Sequence, residues 1–403
     1  MQDLVVVTRI FSGIESAIDS GHWTHSGSPA YYHFIRKLDS NNKLKCKLFF
    51  LSPNIIGKNK KKDILFDNID IVGKFIPYYP FPFSSHIPVF KKIEFFYNKF
   101  RQYILILSET SSSRCYYIDR DNILLSFVLL VMSRSNVVIT RLLGVTESLY
   151  MHLTNRGNIY SKIIRWTFGN DKSYFICTND GSYAELTKNN LGYSNFYLLF
   201  NGVDKGILST LKPNNNNFDG KIVISYISRI VPNKGHINFI NSLRKVSNHD
   251  NLIVYIVGDG ALKGQCQDLV CKYMLDSFVF FTGGLRHKNA MHYLSMSDLF
   301  VYINFDGSFG NSVLEASQFG LPIVTLLHKS LPLDKYPFFK FIKNNHEIEE
   351  NITSFIENFI DNKQLRKSMS ESSIDFYNSY LVSWDDRINT EIDIINSICA
   401  SNN

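Results

Sequence analysis

The chain has 403 residues, beyond the roughly 250–300 at which a single core stops growing, so two domains are expected. A hydrophobic share of 45% excludes a disordered chain. The formal charge of +7 suits an anionic small ligand or an anionic membrane surface, not the concentrated basic stripe of a nucleic-acid binder.

The first residues, Met1-Gln2-Asp3-Leu4-Val5-Val6-Val7, lack the basic and long apolar segments of a signal peptide. They predict a buried strand over Leu4–Val7. Next, His25-Ser26-Gly27-Ser28-Pro29-Ala30 leads into a helix through Tyr31, Phe34, Ile35 and Leu38. Gly27 and Ser28 read either as a ligand-facing glycine loop or as the start of a plainly capped helix with Pro29 in its first turn. Strands are predicted at Leu48–Leu51, Ile104–Leu107, Val137–Ile139 and Tyr174–Cys177. Between the first and second of these, Val89, Phe90, Ile93, Phe96, Tyr97 and Phe100 fall on one helical stripe with Lys91, Lys92, Lys99 and Arg101 mostly opposite. The stripe is expected to pack on the N-terminal sheet; peripheral contact with an anionic membrane is the competing reading. The longest apolar run, Ile123 to Met132, falls well short of the about twenty residues that span a bilayer.

Further strands are predicted at Ile222–Tyr226, Leu252–Val257, Phe278–Phe281, Leu299–Tyr302 and Ile323–Thr325. Short apolar runs separated by helix-length segments predict α/β architecture with parallel sheets covered on both faces. The polar stretch Pro213-Asn214-Asn215-Asn216-Asn217 places the boundary between domains near 201–218. The stretch from Ser383-Trp384-Asp385-Asp386 reads as a closing amphipathic helix with acids at its start. Six cysteines, at 46, 115, 177, 266, 271 and 399, form no C-x-x-C pair, so reduced thiols in a cytoplasmic setting are expected.

Three segments carry candidate chemistry. Arg229 leaves the carboxyl end of the Ile222–Tyr226 strand, and Lys234 follows in the loop before a helix. Together they can clamp a diphosphate, or stand as two solvated loop cations. Gly258-Asp259-Gly260 and Thr282-Gly283-Gly284 end two further strands, where a planar base could lie. Last, Asp306-Gly307-Ser308-Phe309-Gly310-Asn311-Ser312-Val313-Leu314-Glu315 runs from a loop into a helix. The N–H groups of Gly310, Asn311, Ser312 and Val313 would offer an anion site. Glu315 would accept from ribose hydroxyls, or merely close the S-x-x-E capping box begun by Ser312. A dinucleotide fingerprint is missing after the first strand, where Thr8-Arg9-Ile10-Phe11-Ser12-Gly13 stands, which speaks against a Rossmann-type oxidoreductase.

Asn201-Gly202-Val203-Asp204, Arg229 with Lys234-Gly235, Gly258-Asp259-Gly260 and Phe309–Ala316, in this order and spacing, resemble the family 4 (group 1) retaining glycosyltransferases of the GT-B fold. The resemblance implies two Rossmann-like domains with parallel sheets facing a central cleft. It implies an acceptor-binding domain at 1–205, a nucleotide-sugar-binding domain at 206–375, and a helix over 376–403 crossing back toward the first. A sugar, hexose in type, would pass from a UDP or GDP type donor to an acceptor hydroxyl with retention and without metal or other cofactor. Polysaccharide or lipid-linked glycan assembly, at the cytoplasmic face of a membrane, is the implied setting. Arg229 and Lys234 would hold the diphosphate and Glu315 the ribose, with Gly27, Ser28, Gly258, Asp259, Gly283, Gly310, Asn311, Ser312 and Val313 completing the donor site. The family carries a first glutamate separated from the second by seven intervening residues. Gly307 stands there, and Asp306 beside it is the candidate substitute. Leu143 stands where an acceptor-side histidine is usual, next to Gly144, so Arg141, Glu147 or a histidine from elsewhere in the chain would take the polar role. The competing function is a GT-B protein that binds the nucleotide without turnover.

Overall fold

The computed structural model describes the chain except for residues 1, 11–13, 15–16, 18–19, 24–28, 41–43, 53–62, 67–68, 80–87, 133–135, 156, 212–217, 219, 327–336 and 403. Gly27, Ser28 and the Pro213–Asn217 stretch lie outside the described residues. The chain divides into two compact units. The first takes in 1–178, 187–199 and 384–403, and the second 179–186 and 200–383. The helix that returns to the first unit begins at Trp384, later than the expected 376; the helix Lys363–Tyr380 belongs to the second unit.

In the first unit, strands β1 (Gln2–Arg9), β2 (Leu44–Leu51), β3 (Asp63–Phe66), β4 (Ile69–Ile76), β5 (Cys115–Asp119), β6 (Val137–Leu142), β7 (Ser173–Thr178) and β8 (Phe196–Leu199) form one sheet in the order β3-β4-β2-β1-β5-β6-β7-β8. Pairing is parallel throughout, apart from the β3–β4 edge. Continuous apolar runs such as Leu4–Val7 are needed because both faces of a parallel sheet are covered. The predicted strand at Ile104–Leu107 is instead the last part of a 22-residue helix, Pro88–Glu109. That helix is also turned the other way round from expectation. Glu94, Asn98 and Gln102 are buried while Ile93, Phe96 and Phe100 face out. Hydrogen bonds from the inward polar side chains to the chain after β2 and β4 fix this orientation.

The closing helix, Trp384–Ser401, buries Ile388, Ile392, Ile395 and Ile398 among Tyr31, Ile35 and Tyr117. Its Glu391 lies fully buried, 3.1 Å from Arg141 Nε, and accepts from Arg387 and from the Tyr117 hydroxyl. Burial alone would raise the Glu391 pKa, but the two guanidiniums more than offset it and hold it below the ordinary value. Cys115 of β5 and Cys399 of this helix are disulfide-bonded, which corrects the expectation that all six thiols are reduced. Cys46, Cys177, Cys266 and Cys271 are not disulfide-bonded.

In the second unit, β9 (Ile222–Ile227), β10 (Leu252–Val257), β11 (Val279–Gly283), β12 (Leu299–Tyr302), β13 (Ile323–Leu326) and β14 (Phe339–Ile342) form a parallel sheet in the order β11-β10-β9-β12-β13-β14. Strand order reverses direction at β9. The chain runs outward through β10 and β11, then crosses to β12 on the other side of β9. In open α/β sheets such a reversal leaves a crevice at the carboxyl ends of the two strands, where ligands bind.

Candidate active site

The β9–β12 crevice is built from two loops that hold each other. Ser228 N–H donates to Val257 O (3.1 Å), and Ile230 N–H to Asp259 O (2.9 Å). The β9 loop therefore lies directly against the β10 loop. Gly258 explains how: a Cβ there would stand 1.9 Å from Ser228 O, so only glycine admits the approach. The G-D-G stretch, expected as a place for a base to approach, thus packs its first glycine against the β9 loop. Asp259 is exposed and accepts from Lys263 Nζ at 3.0 Å and from Gly260 N–H, and these lower its pKa. Gly283, beside it at the end of β11, accepts from Gly258 N–H.

Beyond Arg229, Pro232–Lys234 form a single 3-10 turn that ends at Gly235 in the left-handed region (φ 54°). Gly235 then caps the helix His236–Leu243. Its missing side chain makes room for Ile303, which would meet a Cβ at 2.3 Å. The Tyr226 hydroxyl bonds both Lys234 O and Ile303, and Phe305 N–H donates to Asn233 O. The loop after β9 is thereby tied to the loop after β12.

This tie brings Arg229, Lys234 and Asp306 to one place. Lys234 Nζ donates to the Tyr302 hydroxyl at 2.9 Å and lies over its ring. Burial lowers the Lys234 pKa to about 8; Arg229 adds to this and Asp306 works against it. Arg229 is exposed, and among the described residues its guanidinium meets no carboxylate. Asp306 is exposed and accepts from the Asn233 side-chain amide. Beneath them His236 stacks on Tyr226 (4.3 Å between centroids), and burial and then Lys234 lower its pKa to about 4.

The helix after β12, Asn311–Gln318, starts at Gly310 with no side chain capping it. The expected set of four outward N–H groups is reduced to two. Gly310 N–H turns to the Tyr302 hydroxyl and Val313 N–H to Gly310 O, which leaves those of Asn311 and Ser312. Asn201 of the N-G-V-D tetrad donates to Asn311 Oδ1 at 2.8 Å. The capping-box reading of Glu315 does not hold, because the helix starts two residues before Ser312. Glu315 instead meets His287 Nε2 at 2.7 Å, and this bond raises the His287 pKa.

Sequence reasoning missed His287 and Tyr302. His287 opens a helix just past Gly283-Gly284, and Tyr302 ends β12 at the strand-order reversal. Position relative to that reversal was the signal that could have found both. Of the acceptor-side candidates, Arg141 is buried against Glu391, with one further N–H donating to Leu142 O at 2.7 Å. Gly144 sits in the turn after β6 with φ 89°, and Glu147 is exposed in the first turn of the helix Glu147–Thr154. Among the described residues no group of three or more His, Cys, Asp or Glu is placed to hold a metal ion.

Compared with solved structures, the chain aligns over 100% of both lengths with sucrose-phosphate synthase from Thermosynechococcus elongatus, at a TM-score of 0.69 and 13% identity. The fold is GT-B. Anabaena HepE in complex with UDP and glucose aligns with 98% of this chain and 100% of its own, at a TM-score of 0.63 and 12% identity. In sequence, the family model described as glycosyl transferases group 1 matches residues 209–375, within the second unit. A curated relative, an uncharacterized glycosyltransferase of Methanocaldococcus jannaschii, is 31% identical over 118 residues. That stretch spans 29% of this chain and 29% of the relative's own length. The sequence likeness to the group 1 glycosyl transferases is thus concentrated where the β9–β12 crevice lies.

Proposed function

We propose that the protein transfers a hexose-type sugar from a nucleoside diphosphate to an acceptor hydroxyl, with retention at the sugar carbon and without a metal ion. Assembly of a polysaccharide or a lipid-linked glycan, at the cytoplasmic face of a membrane, is the setting that fits this reading. The observation that carries it is the pairing of Arg229 and Lys234 with an uncapped helix start at a strand-order reversal. As the bond from sugar carbon to phosphate oxygen breaks, that oxygen gains negative charge while the carbon becomes oxocarbenium-like. In this reading Arg229, Lys234 and the Asn311 and Ser312 N–H groups meet the diphosphate and so stabilise the leaving group. The acceptor oxygen then bonds to the carbon and gives up its proton to the departing phosphate oxygen. Glu315, oriented by His287, takes the ribose hydroxyls. Asp306 stands in for the first glutamate and takes a sugar hydroxyl. UDP is the favoured nucleotide over GDP, since a protein of the same fold is known with UDP and glucose.

Gly307 favours a second reading, a protein that binds the nucleotide without turnover. Its φ of 74° and lack of a side chain leave the family's first glutamate position without a carboxylate.

Thermal unfolding with UDP, GDP, ADP and NAD, with and without Mg²⁺, tests the donor site. Ligand at a hundred times its dissociation constant adds about 2.7 kcal/mol to stability. A midpoint rise of several degrees with UDP, independent of Mg²⁺ and lost in Arg229→Ala, is expected. A rise with NAD alone, or with no diphosphate, defeats the proposal. UDP binding without hydrolysis or transfer from any UDP-hexose supports the second reading.

A further inference from the structure

Tyr302 ends β12 at the strand-order reversal, and its ring is buried beside Phe300, 6.3 Å away between centroids. Its hydroxyl is bonded from two sides of the crevice. From the β9 loop, Lys234 Nζ donates to it at 2.9 Å while lying over the ring. From the start of the helix Asn311–Gln318, Gly310 N–H donates to it as well. A Cβ at Gly310 would stand 2.8 Å from this oxygen and 3.2 Å from Tyr302 Cζ. Gly310 has φ −82° and ψ 166°, extended backbone open to any residue. The glycine therefore supplies room for the tyrosine hydroxyl rather than an unusual turn.

A phenol accepts through its oxygen and has one O–H to give. Lys234 and Gly310 are both donors, so they fill only the accepting side. Among the described residues no acceptor takes the Tyr302 O–H. A buried O–H without an acceptor is costly, and buried polar groups are seldom left so. Two carboxylates of the second unit act on the hydroxyl through their charge, and each has a donor of its own. Asp180 Oδ1 accepts from Ser182 N–H at 3.1 Å, and Asp306 accepts from the Asn233 side-chain amide.

The protonation state of Tyr302 suits a donor. Burial raises its pKa most, Asp180 and Asp306 add to this, and the Gly310 bond and Arg229 work against it. The group therefore keeps its proton through the range near pH 8 in which Lys234 changes charge. With an ammonium and a backbone N–H already on the oxygen, the partner that suits the O–H is an anionic oxygen. A bond from a neutral hydroxyl to such an oxygen is charge-assisted and stronger than one between neutral groups.

We propose that Tyr302 is a phosphate-binding residue of this site, its O–H donating to a diphosphate oxygen of the nucleotide beside Lys234 and the helix start. The inference rests on the donor-site reading and adds a neutral donor to the cations and backbone N–H groups named there. Tyr302→Phe keeps the ring and removes the hydroxyl alone. By calorimetry at neutral pH it is expected to bind UDP about tenfold more weakly than wild type, the usual contribution of a hydrogen bond to a charged acceptor, and uridine equally well. The same substitution in a Lys234→Met background separates direct contact from an effect passed through the lysine. There Tyr302→Phe should still weaken UDP by about threefold or more. Should the variant not fold, 3-fluorotyrosine placed at 302 alone gives a fluorine resonance that UDP is expected to shift and uridine is not. A wild-type protein that binds no nucleoside diphosphate ends the donor-site reading and this inference with it. UDP bound alike by wild type and Tyr302→Phe, a matching loss for uridine, an effect that vanishes in Lys234→Met, or a fluorine resonance unmoved by UDP overturns this inference alone and leaves the donor site standing.

Discussion

Both units reverse their strand order beside a central strand, and the two crevices treat charge in opposite ways. In the first unit the reversal lies between β1 and β5. There Arg9 pairs with Asp119 and Asp121, and Asp119 also accepts from Thr8 and from Arg9 N–H. Deeper in that unit Arg141, Arg387 and Glu391 are likewise matched against one another. In the second unit Arg229 and Lys234 share one crevice and repel each other, and the exposed Asp306 is the carboxylate that acts on Lys234 there. Charge matched within the chain holds the fold. Charge left unmatched in the second crevice is what the proposed diphosphate would meet.

The largest effect that sharpens this contrast belongs to the matched group. Glu391→Ala leaves two buried guanidiniums without their anion, and about 3–5 kcal/mol of stability should be lost. Urea unfolding measures it. A change below about 1 kcal/mol would mean the triad is solvated rather than matched, and the contrast would collapse.

Lys234 gives the next effect. With its pKa at about 8, it is charged at neutral pH and loses its proton above that. Diphosphate binding favours the charged form. UDP affinity should therefore be level below pH 8 and fall above it, by at most about tenfold per pH unit. Calorimetry across pH 7 to 10 reads this directly, and Lys234→Arg, which stays charged, should flatten the profile. A profile as steep in Lys234→Arg as in wild type breaks the assignment.

The smallest effect is at His287. Its raised pKa means that its pairing with Glu315 is fully present below the ordinary histidine pKa and is lost as pH rises through the raised value. His287→Gln keeps a hydrogen-bond donor but no charge. UDP should bind more weakly by about 0.5–1.5 kcal/mol, while UMP and uridine lose a similar amount. Unchanged uridine binding, with weakened binding of diphosphates alone, would move His287 from the ribose side to the phosphates.

Much of the architecture was legible because parallel strands must be apolar throughout. Ile222–Tyr226, Leu252–Val257 and Leu299–Tyr302 all fall on β9, β10 and β12. The same rule misread Ile104–Leu107, since an apolar run of four does not reveal whether a helix has already begun upstream. It also passed over β5, whose Cys115-Tyr116-Tyr117-Ile118-Asp119 is wholly buried though Tyr116, Tyr117 and Asp119 carry side-chain oxygens. Arg229, Lys234 and Asp306 could be found as loop residues after strands. What Glu315 does could not, because S-x-x-E describes a cap equally well, and only the helix start at Gly310 and the position of His287 separate the two. Arg141 and Glu391, and likewise Cys115 and Cys399, are far apart in sequence, so no local spacing could announce either pair.

The first unit is discontinuous, and that sets an order on its making. A ribosome delivers β1 to β8 first, with 179–186 of the second unit between β7 and β8, then the rest of the second unit, and only afterwards Trp384–Ser401. Until then Arg141 has no Glu391, and the apolar floor made by Tyr31, Ile35 and Tyr117 lacks its cover. The second unit, continuous apart from 179–186, can close on itself while the first still waits. The nascent protein therefore passes through a stage with a finished second unit and a first unit still missing the helix Trp384–Ser401.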